Sequence, residues 1–177
     1  MWKTQSVTSR FEGTGALAAE TVGRIGLVGP AARASGIGRD VRNDYPSGWY
    51  RFSHVPVSTA ATGDVSARAW VRWLEVQRSI AFVDDQLRGL PAGPVRAEVL
   101  PRTLARRAVV ATLVEAWRGE TCHVIATGPA GRFARCVVVD PSFHNWLGLA
   151  LSMRGGQISD FPLCNKSFNL SYCGTDL

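Results

Sequence analysis

The stretch from Gly63 to Leu87 constrains the fold more than any other, because it carries two helical stripes at once. Ala69, Trp73, Val76, Ile80, Val83 and Leu87 recur at the steps that bring side chains onto one face of an α-helix. Asp64, Arg68, Arg72, Glu75 and Ser79 recur at similar steps and lie along a second face. A helix over this range is about 35–40 Å long at 1.5 Å per residue. The apolar stripe reads as its core face. The charged stripe would be a solvated face with weak pairs, each worth about 0.2–0.5 kcal/mol, but Trp70, Val71, Leu74 and Ala81 flank it on the other side. A helix apolar on both flanks is enclosed, and enclosed charges require internal partners. The expectation is a spine helix with a paired polar network.

A second organising stretch is Val139-Asp140-Pro141-Ser142-Phe143-His144-Asn145-Trp146, between a strand, Phe133 to Val139, and a helix, Phe143 to Met153. Proline lacks an N–H and fixes φ, which suits the start of a helix. Asp140 and Ser142 can each accept a hydrogen bond from the helix's free N–H groups. His144 lies within the turn, where reaching a bound ligand and packing near the helix end are both open. Elsewhere, Ala18 to Gly26 reads as a short helix and Leu104 to Val109 as helical. Val110 to Ala116 is strand-like, Thr121 to Thr127 and Phe133 to Val139 form a hairpin, and Gly89 to Pro101 is a loop. The class is α+β and mainly helical, with a long core helix plus a β hairpin, in one domain over 1–177.

The net charge of +6 raises nucleic acid as a partner, yet the arginines are scattered from Arg10 to Arg154 with no basic run and no aromatic platform. Arginine's planar fork suits buried ion pairs and protein interfaces, and no nucleic acid is expected. No apolar run approaches a membrane span, and the first residues lack the apolar core of a secretory signal. Peripheral docking to a membrane complex stays open. Cys122, Cys136, Cys164 and Cys173 form no C-x-x-C pair and read as buried free thiols. A zinc site from Cys122 or His123 with Cys136 depends on a strand register that the sequence leaves open.

Gly29-Pro30-Ala-Ala-Arg33-Ala-Ser35-Gly36-Ile-Gly38-Arg39-Asp40-Val-Arg42 permits tight turns, with Arg33, Asp40 and Arg42 able to pair with one another. It is no phosphate loop, since no Lys-Ser/Thr follows.

These stretches together resemble one family. The loop matches Gly-Pro-x-x-Arg-(Ala/Gly)-Ser-Gly-x-x-x-Asp-x-Arg, and the helix matches Gly-Asp-x-x-x-Arg-x-x-x-Arg-x-x-Glu-x-x-x-Ser. Glu115-Ala-x-Arg118-Gly-Glu120 and the tail from Asp160 to Leu177 fit as well. The pattern resembles the C-terminal part of the large subunit shared by respiratory complex I and the membrane-bound (group 4) nickel–iron hydrogenases. Residues 1–15 resemble a mid-chain segment, so the N-terminal half is expected to be absent from this chain. In the hydrogenases the turn reads Asp-Pro-Cys-x-x-Cys and its thiolates hold the metal centre. Here Ser142 and Asn145 stand in those places, so the resemblance implies no metal.

What the resemblance implies is a subunit of a complex I-like oxidoreductase. The loop (Gly29, Pro30, Arg33, Ser35, Gly36, Asp40, Arg42), the polar helix (Asp64, Arg68, Arg72, Glu75, Ser79) and the turn (Asp140, Pro141, Ser142, His144, Asn145) would frame a cavity. There, electrons from an iron–sulfur cluster in a neighbouring small subunit would reach quinone, with NADH as donor of the parent complex. No cofactor is expected on this chain itself, nor catalysis by it in isolation. The implied partners are the iron–sulfur subunit and membrane subunits, and the implied place is the inner face of the cell membrane. A nickel–iron hydrogenase piece and a metal-free structural module are the alternatives.

Overall fold

The computed structural model describes residues 4–94, 96 and 103–176. In chain order the helices are α1 (Gln5–Phe11), α2 (Ala19–Ile25), α3 (Gly29–Arg33), α4 (Val41–Asp44) and α5 (Val65–Arg88). Strands β1 (Val109–Ala116), β2 (Gly119–Thr127) and β3 (Phe133–Val139) follow, then α6 (Pro141–Ser152) and α7 (Phe161–Phe168). Helix accounts for 46% of the chain and strand for 15%, so the mainly helical class holds. The sheet is an antiparallel meander in the order β1-β2-β3, one strand more than the expected hairpin, because β1 pairs with β2 along its whole length. Its attachment to the helices runs through α4 on β1 and through α3 and α6 on β2.

The strand-to-helix junction forms as its residues require. Asp140 caps α6 by accepting from the Ser142 N–H at 2.8 Å, and Pro141 occupies the first turn. The α5 cap is Asp64, which accepts from Ala67 N–H at 2.7 Å and from Gly13 N–H at 2.9 Å. Gly63, just before it, has φ +64, and a Cβ there would sit 2.1 Å from the Leu17 carbonyl oxygen. That approach lets the start of α5 pack beside Leu17, Val22 and Val65 in the main core, which Leu149, Cys164 and Phe168 complete.

Three expectations are corrected, and one open point is decided. The apolar stripe of α5 is not core: Trp73, Val76, Ile80, Val83 and Leu87 are exposed, whereas Val65, Ala67, Arg68 and Val71 are buried. The helix is turned around because its Glu75 meets Arg33 of α3 while its Arg68 and Arg72 reach carbonyls at Gly15, Gly63 and the end of α7. Residues 104–108 are not helical; Thr127 holds that segment beside β2 by donating to Ala105 O and accepting from Ala108 N, and Val109 begins β1. Cys122 lies opposite Val139 and Cys136 opposite Ile125, so His123 and not Cys122 shares a face with Cys136, one pair removed from it. Of the four free thiols only Cys164 is buried. The expected loop over 89–101 falls partly outside the described residues.

Candidate polar cleft

The site begins with a close approach of two backbones. Gly29 has φ +65, and a Cβ on it would lie 2.4 Å from the Arg118 carbonyl oxygen in the β1–β2 turn. Only glycine allows this contact. It seats one helical turn, α3, against the end of the sheet and brings Arg33 to Glu115 of β1.

Arg33 is 1% exposed and is the hub of the site. Its Nη1 donates to Glu115 Oε1 at 2.9 Å and to the Arg39 carbonyl at 2.9 Å, with Asp40 Oδ2 at 3.6 Å. Its Nε lies 2.7 Å from Glu75 Oε1 on α5, close enough for an ion pair but off the N–H direction needed for a hydrogen bond. Asp40 in turn accepts from Arg42 Nε at 2.9 Å and Nη2 at 2.6 Å. Burial alone would raise the Asp40 pKa, but the Arg42 hydrogen bonds and the charges of Arg42 and Arg33 outweigh it and hold the carboxyl below its usual range. The same contact raises Arg42. At Glu115 burial prevails: its pKa is raised despite Arg33 and despite the Val41 N–H it accepts at 3.2 Å.

The first two arginines of α5 behave differently. Rather than finding acids, Arg68 donates to the carbonyls of Gly63 at 2.7 Å and Gly15 at 3.1 Å and to Ser167 Oγ at 2.9 Å, and its guanidinium lies 4.4 Å from the Phe168 ring centre. Arg72 donates to the carbonyls of Ser167 and Phe168 at the end of α7 and lies 5.9 Å from the Trp117 ring. Burial lowers both to about 10, so both are charged at neutral pH. The expected acid–base network along α5 is thus only partly present. Glu75 pairs across to α3, Asp64 serves as a cap, and Arg68 and Arg72 turn to carbonyls and the Ser167 hydroxyl, with the buried Arg72 Nε making no hydrogen bond among the described residues.

Above these groups opens a cleft of about 400 Å³ lined by Arg42, Tyr50, Glu75, Val76, Ser79, Ile80, Glu115, Ala116 and Trp117. It joins the loop and the polar helix, two of the three expected groups, and adds Glu115 and Trp117. Sequence reasoning had Glu115 in a motif but did not place it with Arg33; the signal available was its position in that motif. Within the loop motif, Pro30 is buried in the first turn of α3, Ser35 Oγ donates to the Leu17 carbonyl at 3.0 Å, and Gly36 takes φ +89.

The third group, the turn, serves as a fastener rather than a wall of the cleft. Ser142 is fully buried and does not cap the helix; its Oγ accepts from Ser171 N–H at 2.9 Å and ties down the tail. The Asn145 side chain accepts from Val28 N–H at 3.0 Å and donates to Val28 O at 3.2 Å and Arg118 O at 3.4 Å. His144 is half-buried, with its ring edge-on to Phe143 at 5.5 Å. Oxygens and an amide already engaged with backbone do not fit a nickel–iron centre, which takes soft thiolates. Among the described residues no group of three or more His, Cys, Asp and Glu is placed to hold a metal ion.

Comparison with known proteins points one way. The family profile for "Respiratory-chain NADH dehydrogenase, 49 Kd subunit" matches residues 1–113. The carbon monoxide-induced hydrogenase of Rhodospirillum rubrum is 37% identical over 93% of this chain and 45% of its own length. Formate hydrogenlyase subunit 5 of Escherichia coli is 33% identical over 98% of this chain and 30% of its own. NADH-quinone oxidoreductase subunit 4 of Thermus thermophilus is 29% identical over 85% of this chain and 43% of its own. This chain therefore spans less than half the length of these relatives. In fold it matches a chain from the membrane-bound sulfane sulfur reductase, an archaeal respiratory membrane complex, with a TM-score of 0.90. That likeness covers 100% of this chain and 49% of the other at 23% identity.

Proposed function

This chain belongs to the family of the respiratory-chain NADH dehydrogenase 49 Kd subunit, and on that premise we propose that it forms part of the large subunit of a membrane-associated oxidoreductase complex. The polar cleft is one wall of the recess where electrons from an iron–sulfur cluster in a neighbouring small subunit reach a quinone or related acceptor. NADH is the donor of the parent assembly. In this reading the chain sits at the membrane periphery on the cytoplasmic side, held by other subunits; no described helix is long and apolar enough to cross a membrane. It binds no cofactor of its own and has no turnover alone.

The observation that carries this reading is the balance of the cleft. Arg33, Arg42 and Arg72 are set against Asp40, Glu75 and Glu115, so the buried charges cancel. A recess with no net charge favours a neutral ligand over an ion. Arg42, Tyr50 and Ser79 supply hydrogen-bond donors suited to quinone carbonyl oxygens, and Val76, Ile80 and Trp117 supply apolar wall. Reducing a quinone to a quinol takes two electrons and two protons. Glu115, which lines the cleft and whose pKa is raised by burial, is placed to relay both protons in turn, taking each from solvent.

The names of the relatives at 37% and 33% identity favour a hydrogenase reading. The turn argues against it, because neither position offers a thiolate. The test is the assembled complex carrying Glu115→Gln or Trp117→Ala. Quinone reduction should fall at least 10-fold, with a raised quinone KM for Trp117→Ala, while donor-driven reduction of the iron–sulfur clusters is unchanged. Full quinone reductase rates in both variants would refute the reading.

A further inference from the structure

The sheet is charged unevenly along its length. Its acids, Glu115 and Glu120, sit at the end where the helices attach, with Glu115 bound to Arg33 and Glu120 4.0 Å from Arg39. The other end lies about 20 Å away along β1, at 3.4 Å per residue. It carries Arg106, Arg107, Arg132 and Arg135, all exposed. No Asp or Glu occurs from Thr103 to Val114 or from Ala126 to Val139. Among the described residues none of the four arginines is in an ion pair.

The same end holds an apolar groove. Residues 104–108 are strapped across the β2–β3 turn, where Leu104 N–H donates to Gly131 O at 3.1 Å and Arg107 N–H to Gly128 O at 3.2 Å. Gly131, at φ +68, permits this approach, since a Cβ there would lie 2.5 Å from the Leu104 carbonyl oxygen. Between strap and strands, Leu104, Val109, Val110, Ile125 and Phe133 line a groove of about 350 Å³. Thr127, the polar side chain on its wall, already donates to Ala105 O and accepts from Ala108 N–H, so it offers little to a polar ligand. Phe133 and Val109 stand out at the rim, 67% and 73% exposed.

We propose that this end of the sheet makes direct contact with an anionic lipid surface. Phe133, Val109 and the groove take hydrocarbon, while the four arginines meet headgroup phosphates. Apolar side chains beside basic ones, with no acid between them, seat a protein at the boundary of headgroup and acyl chain. Arginine suits that boundary, because its stem lies along apolar surface while its fork engages phosphate. Nucleic acid would meet the same charges but has no use for an aliphatic groove, and Phe133 is the lone aromatic in these segments. An acidic protein segment would bring backbone polar groups into a groove with no free side chain to satisfy them. The contact is separate from the cleft and does not rest on the role proposed for it.

The experiment sediments the full chain with sucrose-loaded vesicles of phosphatidylcholine alone, or of phosphatidylcholine and phosphatidylglycerol in equal parts. The chain should bind the mixed vesicles about 10-fold more tightly or better, and added salt should weaken that binding. Each arginine near an anionic surface contributes about 5-fold, so Arg106→Glu/Arg132→Glu should weaken binding by about 30-fold or more. Phe133→Ser should weaken it about 10-fold by withdrawing the ring from hydrocarbon. Arg24→Glu/Arg154→Glu makes the same change of net charge at exposed sites on α2 and just after α6. It should cost no more than about 3-fold, since charges beyond a Debye length are screened. Far-ultraviolet circular dichroism confirms that each variant is folded. Equal binding to both vesicle types, equal losses in the two charge variants, undiminished binding by Phe133→Ser, or no vesicle binding by the folded chain would each overturn the proposal. So would a DNA duplex that binds more tightly than the mixed vesicles and is released by Arg106→Glu/Arg132→Glu.

Discussion

Replacing Arg33 by methionine keeps most of the stem's apolar contact and removes the charge, so it isolates the electrostatic role of the hub. In the structure Arg33 is 1% exposed, and it faces Glu115 and Glu75, whose side chains are 5% and 15% exposed. Losing it leaves two carboxylates buried together without their cation, and Asp40 with Arg42 alone. Breaking a buried pair from one side costs about 3–5 kcal/mol. For a domain of this size about 1 kcal/mol moves Tm by roughly 2–4 °C, so the loss should be about 6–20 °C. Arg88→Met is the control: Arg88 meets Asp84 at 3.0 Å, but the side chains are 78% and 59% exposed, and such a pair is worth about 0–1 kcal/mol. The assay is thermal and urea unfolding of both variants, with Glu115→Gln added to form a double-mutant cycle. Adding Glu115→Gln to Arg33→Met should recover part of the loss, since it removes the stranded charge. Equal small effects for Arg33 and Arg88, or strict additivity of Arg33→Met and Glu115→Gln, would refute the account of Arg33 as the hub of a buried network.

Three further outcomes are expected. Arg72→Met should cost about 2–3 kcal/mol, because it strips the Ser167 and Phe168 carbonyls of a charged donor; unfolding titrations read this directly. The folded pKa of Asp40 is depressed, so its stabilising contribution is present above the unfolded carboxylate value near 3.8 and is lost as pH falls through the lower folded value. Asp40→Asn should therefore flatten the acid limb of a stability–pH curve while lowering stability at neutral pH. Elemental analysis of the purified chain after a chelator wash should find nickel far below one atom per molecule, because Ser142 and Asn145 offer no thiolate.

Much of this architecture is legible in the residues, and the exceptions share a cause. Strand β3, the helix after Pro141 and the cap at Asp140 follow from local chemistry: alternation, a fixed φ and an oxygen placed to accept an N–H. Helix α5 is equally legible as a helix, and Arg68, Arg72 and Glu75 do lie on one face. Which face turns inward is not a local property. It depends on carbonyls at Gly15 and Phe168 and on Arg33, residues far away in sequence, and apolar periodicity alone points the helix the wrong way round. Glu115 illustrates the same limit, since its partnership with Arg33 exists only because Gly29 lets α3 touch the β1–β2 turn. Ser142 and Asn145 were recognisable as replacements for thiolates, but their new bonds run to Ser171, Val28 and Arg118, which no spacing rule connects to them.

The Asn145 clasp would make a thiol costly at this position. Its side chain satisfies both the N–H and the carbonyl of Val28 and reaches Arg118, stitching α6 to the start of α3 and to the sheet's first turn. Asn145→Cys would orphan buried backbone groups, at about 1–3 kcal/mol for each one left unsatisfied. A thiol at 142 would likewise loosen the tail at Ser171. A thiol at either place therefore has to come together with new partners for Val28, Arg118 and Ser171, or the joint between helix, loop and tail slackens.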